Sequence, residues 1–130
     1  MVLVDTSVWI DYFRGIDVPH TARFDRALGR VEIVIGDLIL AQLLQGMRDG
    51  PQLRSASATI DAFRVVTLGG EEIARTAAAN YRLMRTQGIT VRGTIDVMIA
   101  TWCIENNVPL LHKDRDFAHM QTVIGLQSYR

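Results

Sequence analysis

Met1 to Val4 are all apolar, and they run without interruption into Asp5, Thr6 and Ser7. This stretch constrains the chain more than any other. A short strand with no polar alternation is buried on both faces, and such strands belong to parallel sheets flanked by helices on either side. Asp5 then falls where the strand ends and its loop begins, at the carboxyl edge where ligands bind in open α/β sheets. Two readings of Asp5 stand side by side: an acid placed for chemistry, or a cap for the following helix, a task Ser7 also suits.

The rest of the chain repeats the pattern. Ser7 to Arg14 reads as a short helix stopped by Gly15, and Pro19 and Thr21 lead into a second helix through Arg23 to Leu28. Glu32 to Ile35 is a compact strand closed by Gly36, with Asp37 as the expected cap of an apolar helix, Leu38 to Met47. Gln52 to Arg64 is a helix candidate, and Val65 to Leu68 a strand. A long helix from Glu71 to about Gln87 has acids at its positive end and Arg82 and Arg85 near its negative end, as the helix dipole favours. Its stripe Ile73, Ala77, Tyr81 and Met84 points to core or dimer contact. Thr94 is the expected cap of a helix to Asn106, and Val108 to His112 form a buried strand. Thr122 to Leu126 are expected as an edge strand. Strand and helix in alternation predict one α/β domain over residues 1–130, a mostly parallel sheet with helices on both faces.

Composition narrows the function. The 130 residues are 48% hydrophobic and 22% charged, with a net charge of zero. The balance is that of a globular domain rather than a disordered chain. It argues against a protein that merely coats nucleic acid, though an enzyme acting on nucleic acid can offset its arginines with metal-binding acids. Cys103 is the only cysteine, which excludes an intrachain disulfide and a cysteine-based zinc site. With no secretory leader pattern and no apolar run of about 18 residues, a soluble cytoplasmic protein without a membrane role is expected.

Asp5 and the pair Asp114 and Asp116 each follow a buried strand, so a parallel sheet brings them to one edge; Asp96 opens the helix that precedes the last of those strands. Separate acids meeting there, without a lysine run to neutralise them, have the composition of a hard-cation site for Mg²⁺ or Mn²⁺. Such sites activate water and stabilise displacement at phosphorus, often with two metals roughly 3.5–4 Å apart. The competing reading makes the same acids separate caps and surface ion-pair partners.

These residues also carry a resemblance. Val4-Asp5-Thr6-Ser7-Val8-Trp9-Ile10-Asp11, Asp37 to Gly46, Thr94-Ile95-Asp96, and Leu110 to Phe117 together resemble the PIN-domain toxins of the VapC family, in order and across essentially the whole chain. The resemblance implies a PIN-like three-layer sandwich and an Mg²⁺- or Mn²⁺-dependent endoribonuclease acting on structured RNA, chiefly tRNA or an rRNA loop. It implies a homodimer held inactive by a VapB-type antitoxin, whose arginine-bearing tail would suit an acidic pocket. By position, Asp5 matches the first metal-binding acid, Asp96 the third, and Asp114 and Asp116 the final pair, of which one or both reach the metal. Thr6 would orient Asp5 or meet a phosphate.

One position departs from the family pattern Leu-x-Glu-x-Leu-x-Gly: here the glutamate is Gln42. Glutamine keeps the shape but removes a charge and adds an amide donor. Weaker metal binding and little or no cleavage are expected, whether the glutamine is natural divergence or a deliberate inactivation. Of the remaining candidates, Arg92, on a loop ahead of Asp96, and Ser7 are the best substrate contacts. Asp11 is expected to be structural, as is His112; Trp9 and Trp102 read as core. Two alternatives remain. One is a disarmed module of the same fold that binds RNA or antitoxin without cutting. The other is a phosphoaspartate-forming hydrolase, which the strand-end Asp5 suggests but which wants a second aspartate where Ser7 stands.

Overall fold

The computed structural model describes residues 1–130. In chain order the elements are β1 (Val2–Val4), α1 (Thr6–Phe13), α2 (Pro19–Ala27), β2 (Ile33–Gly36), α3 (Asp37–Gln45), α4 (Pro51–Ile60), β3 (Arg64–Val66), α5 (Glu71–Thr86), α6 (Thr94–Asn106), β4 (Leu110–Leu111) and α7 (Arg115–Val123). The four strands form one sheet in the order β3-β2-β1-β4, with every pairing parallel. The expected α/β sandwich is present, with strands shorter than the apolar runs that announce them.

The order of strands fixes where a site can form. The chain steps from β1 to β2 to β3 in one direction, then returns to place β4 on the other side of β1. Because parallel crossovers are right-handed, this reversal puts α5 and α6 on the opposite face from α1 to α4. The carboxyl ends of β1 and β4 therefore flank the switch point of the sheet, where a crevice opens. Leu3 pairs with Leu110 and Val4 with Leu111, and the Asp5 N–H donates to the Leu111 carbonyl at 3.0 Å. Asp5 is thus held level with the first residues after β4.

Burial explains why these residues, and not others, make the sheet. Val2, Leu3, Val34, Ile35 and Leu110 are wholly buried. Trp9 is buried on the α1–α2 side between Phe24 and Phe63, with ring centroids at 5.0 and 5.1 Å, in edge-on geometry. On the other face, Ala77 and Met84 of α5 are buried, and the α5–α6 contact is tied by a polar bridge. Asn80 Nδ2 donates to Thr101 Oγ1 at 3.0 Å, and Thr101 donates to the Val97 carbonyl at 2.7 Å. Ala77 and Met84 of the α5 stripe are therefore core within one chain, while Ile73 and Tyr81 are half-buried at its margin. Trp102 and Cys103 are buried as expected.

Four local expectations change. Residues 122–126 are not an edge strand: α7 runs through Val123, and the C-terminal segment reaches the sheet only through a Leu110–Ser128 bridge. β3 is Arg64–Val66 rather than Val65 to Leu68, because the chain turns away to bury Leu68. Gly36 and Gly93, not Asp37 and Thr94, are the cap residues of α3 and α6. Asp37 instead accepts from the Leu38 and Leu68 N–H groups, each at 2.9 Å, which clips the end of β3 to the start of α3. Gly36 is required by that clip: a Cβ there would lie 2.2 Å from Leu68 Cδ1. No helix is long and apolar enough to cross a membrane.

Candidate active site

Asp5 is 5% exposed and is the N-cap of α1. Both readings of this residue therefore hold at once. Its carboxylate accepts the Ser7 hydroxyl at 2.8 Å and, more weakly, the Ser7 N–H at 3.4 Å. Ser7, expected at the substrate, is thus the residue that orients Asp5. Thr6 does not take that role: its hydroxyl donates to Gln42 Oε1 at 2.7 Å. Burial pushes the Asp5 carboxyl above its ordinary value; the bonds from Ser7 and the Thr6 backbone lower it, and Asp114 raises it further.

Asp96, half-buried in the first turn of α6, feels the same cluster. Burial raises its carboxyl most, and Asp5, Asp114 and Asp116 add to the rise in that order, to about 6. Acids from the ends of β1 and β4 and the start of α6 thus oppose the ionisation of Asp96. Asp114 caps α7, accepting the Asp116 N–H at 2.9 Å, and its own N–H donates to His112 Nδ1 at 3.2 Å. His112 Nε2 meets Gln121 Oε1 at 2.9 Å. Both nitrogens of His112 are engaged, so it stiffens the loop bearing the acids.

A second contact secures that loop from below. Lys113 Nζ and His20 Nε2 both reach Asp11 Oδ2 at 2.6 Å. Asp11 is buried, and the Lys113 bond, then the His20 bond, hold its carboxyl below the ordinary range. Asp11 is structural, as its sequence suggests. Its partner Lys113, 102 residues away, was not recognisable from any local pattern.

The donor set of Asp5, Asp96, Asp114 and Asp116 is all oxygen and mutually repulsive, which fits a hard divalent cation in preference to zinc. As they stand, no three His, Cys, Asp or Glu side chains are placed together to hold a metal ion. Gln42 projects from α3 beside this cluster through Thr6 and also lines a cavity with Arg14, Met47, Arg48 and Gln52. With its oxygen engaged by Thr6, its amide donor faces elsewhere. Arg92 is exposed on the loop before α6 and lines a separate groove between α5 and α6.

A parallel α/β sheet with acids at the switch point of its strands defines a class of fold rather than a single protein. The PIN domain model matches residues 2–123, and the chain belongs to that family. Among curated proteins it is 28% identical over 130 residues to a VapC ribonuclease of Mycobacterium bovis and to ribonuclease VapC11 of Mycobacterium tuberculosis, covering 98% of this chain and 97% of each relative. Among solved structures it resembles FitAcB from Neisseria gonorrhoeae, with a TM-score of 0.78, 16% identity, and coverage of 100% and 97% of the two chains. It also resembles VapBC2 from Rickettsia felis, with a TM-score of 0.73, 13% identity, and coverage of 99% and 98%.

Proposed function

We propose that this chain is a VapC-type toxin: a divalent-metal-dependent endoribonuclease acting in the cytoplasm on structured RNA such as tRNA or rRNA, as a homodimer restrained by a VapB-type antitoxin. The observation that carries the reading is the placement of Asp5, Asp96, Asp114 and Asp116 around one edge of the sheet, where burial first, and then the other three acids, push the Asp96 carboxyl up to about 6. Relatives named as ribonucleases across nearly the full chain support the activity. Fold neighbours solved as VapBC and toxin–antitoxin complexes support the partner.

Asp5, Asp96, Asp114 and Asp116 would hold Mg²⁺ or Mn²⁺. When bound, the ion supplies neutralisation of phosphodiester charge and acidification of a water. Ser7 fixes the rotamer of Asp5 through its hydroxyl. Lys113 ties the start of the Asp114–Asp116 loop to Asp11 of α1, and His112 accepts from the Asp114 N–H within it.

Gln42 sets the level of activity in this reading. The Thr6 bond to Gln42 Oε1 is one a glutamate would also accept, so Gln42→Glu would restore the family's charge without disturbing that contact. The same bond favours a second reading, a domain that keeps the architecture of the site and binds RNA or antitoxin without cutting. Cleavage of a total tRNA pool with Mg²⁺ or Mn²⁺, comparing this chain with Gln42→Glu, separates them. Cleavage by the Glu form alone, stopped by chelator, supports a nuclease weakened at Gln42. Cleavage by both shows Gln42 to be tolerated. Cleavage by neither favours the binding module.

A further inference from the structure

We infer that the groove between α5 and α6 is a phosphate-binding track that holds single-stranded RNA beside the acid cluster. This rests on the reading of the chain as acting on RNA and extends it to residues outside the acidic site. The groove, of about 350 Å³, has a floor of Ala74, Ala77 and Ala78 and a rim of Arg82, Arg85 and Arg92. The three guanidinium groups come from two separate segments of the chain, and the fold gathers them on one concavity.

None of the three has a carboxylate within 4.0 Å, whereas Arg64 and Arg75 are paired with Glu32 and Glu71. Most arginines of the chain are likewise unpaired; what sets these three apart is that they share one concavity. Arg82 and Arg85 are one helical turn apart, about 5–6 Å between Cβ atoms, a spacing in reach of successive phosphates on one strand. Arg85 lies over the Tyr81 ring, 5.9 Å from its centroid, and Tyr81 also lines the groove. That ring supplies an aromatic surface of the kind that single-stranded bases use for stacking.

The groove also has a direction. Gly93, Thr94 and Val97 line its far end; Asp96 follows in the first turn of α6 but, two residues on from Thr94, projects from another side of the helix. A strand that reaches the acids would cross the start of α6 to carry its neighbouring phosphates to Arg92, then to Arg82 and Arg85. An acidic protein segment would also answer the charge, but the tyrosine-backed arginine and the approach to the acid cluster favour a polyanion with bases.

The test is fluorescence anisotropy with a fluorescein-labelled oligouridylate in chelator, so that binding is read without cleavage. The chain as it stands would be compared with Arg82→Gln/Arg85→Gln/Arg92→Gln and with Arg26→Gln/Arg30→Gln on the α2 side. Each lost phosphate contact lowers the slope of log K against log salt by about 0.7, so the triple variant should lose about 2. Across a fourfold rise in salt, the parent chain would then lose about 20-fold more affinity than the variant. The α2 pair should leave the slope unchanged.

An unchanged slope in the triple variant, or an equal loss in the α2 pair, would overturn the inference. So would a triple variant that binds RNA normally but turns from dimer to monomer in sedimentation, or loses only its affinity for an acidic peptide. Because no metal or cleavage enters the assay, failure of the nuclease reading would appear separately, as absent cleavage by Gln42→Glu.

Discussion

Asp96→Asn should stabilise the metal-free protein at neutral pH, although it removes a proposed metal ligand. The Asp96 carboxyl is pushed up to about 6 from 3.8 by burial and by Asp5, Asp114 and Asp116. At about 1.4 kcal/mol per pH unit, that penalty approaches about 3 kcal/mol, and partial exposure screens it to about 1–2 kcal/mol. Against this, an acid in the first turn of α6 gains about 0.3–1 kcal/mol from the helix dipole. Repulsion and desolvation win, leaving a net gain of about 1 kcal/mol, or about 3–5 °C in Tm for a domain of this size.

The pH dependence follows from which state binds the proton. Folded Asp96 protonates near pH 6, while the unfolded carboxyl stays ionised down to about 4, so acid stabilises the parent chain in that window. The advantage of the asparagine should fall to about half its neutral value at pH 5 and vanish near pH 4. Thermal unfolding of both forms in chelator at several pH values reads this out. Added Mg²⁺ or Mn²⁺ should reverse the order, since only the parent binds the ion well. An asparagine form less stable than the parent at pH 7, or a difference that ignores pH, would refute the reasoning.

Two further outcomes follow from buried groups. Lys113→Ala should destabilise the fold by about 1–2 kcal/mol at pH 7, since Asp11 loses the stronger of its two partners. The deficit should narrow as acid protonates Asp11 below about pH 4, because a lowered carboxyl contributes stability only while ionised; urea unfolding at both ends of the range checks it. Cys103 is 1% exposed and its thiol is pushed well above the usual range by burial. It should react with Ellman's reagent only after urea unfolding; rapid labelling of the native protein would contradict its placement.

How much of this was legible in sequence depended on range. Val2 to Val4 announced a doubly buried strand, and because a parallel sheet aligns strand ends, Asp5 and Asp114 could be placed at one edge from local patterns alone. Helix α7 was missed because its first turn is charged and its last residues are β-branched, so the Asp114 cap and the buried spacing of Phe117 and Met120 were overshadowed. The roles of Thr6 and Ser7 depended on rotation about α1. A residue two past the N-cap faces back toward the cap side chain, which put Ser7 on Asp5 and turned Thr6 to Gln42. The Asp11–Lys113 contact and the arginine groove join distant segments and had no local signature.

The strand order also carries a consequence in time. During synthesis the chain emerges N-terminal end first, so β1, β2 and β3 can assemble while the flank of β1 that β4 will occupy is still empty. Asp5 then stands alone at an open strand end, and Asp114 and Asp116 join it only when β4 docks. For a protein proposed to be toxic to the cell that makes it, the reactive centre is among the last parts to exist. A ribosome partway through the message would carry a nearly complete sheet and no complete set of acids.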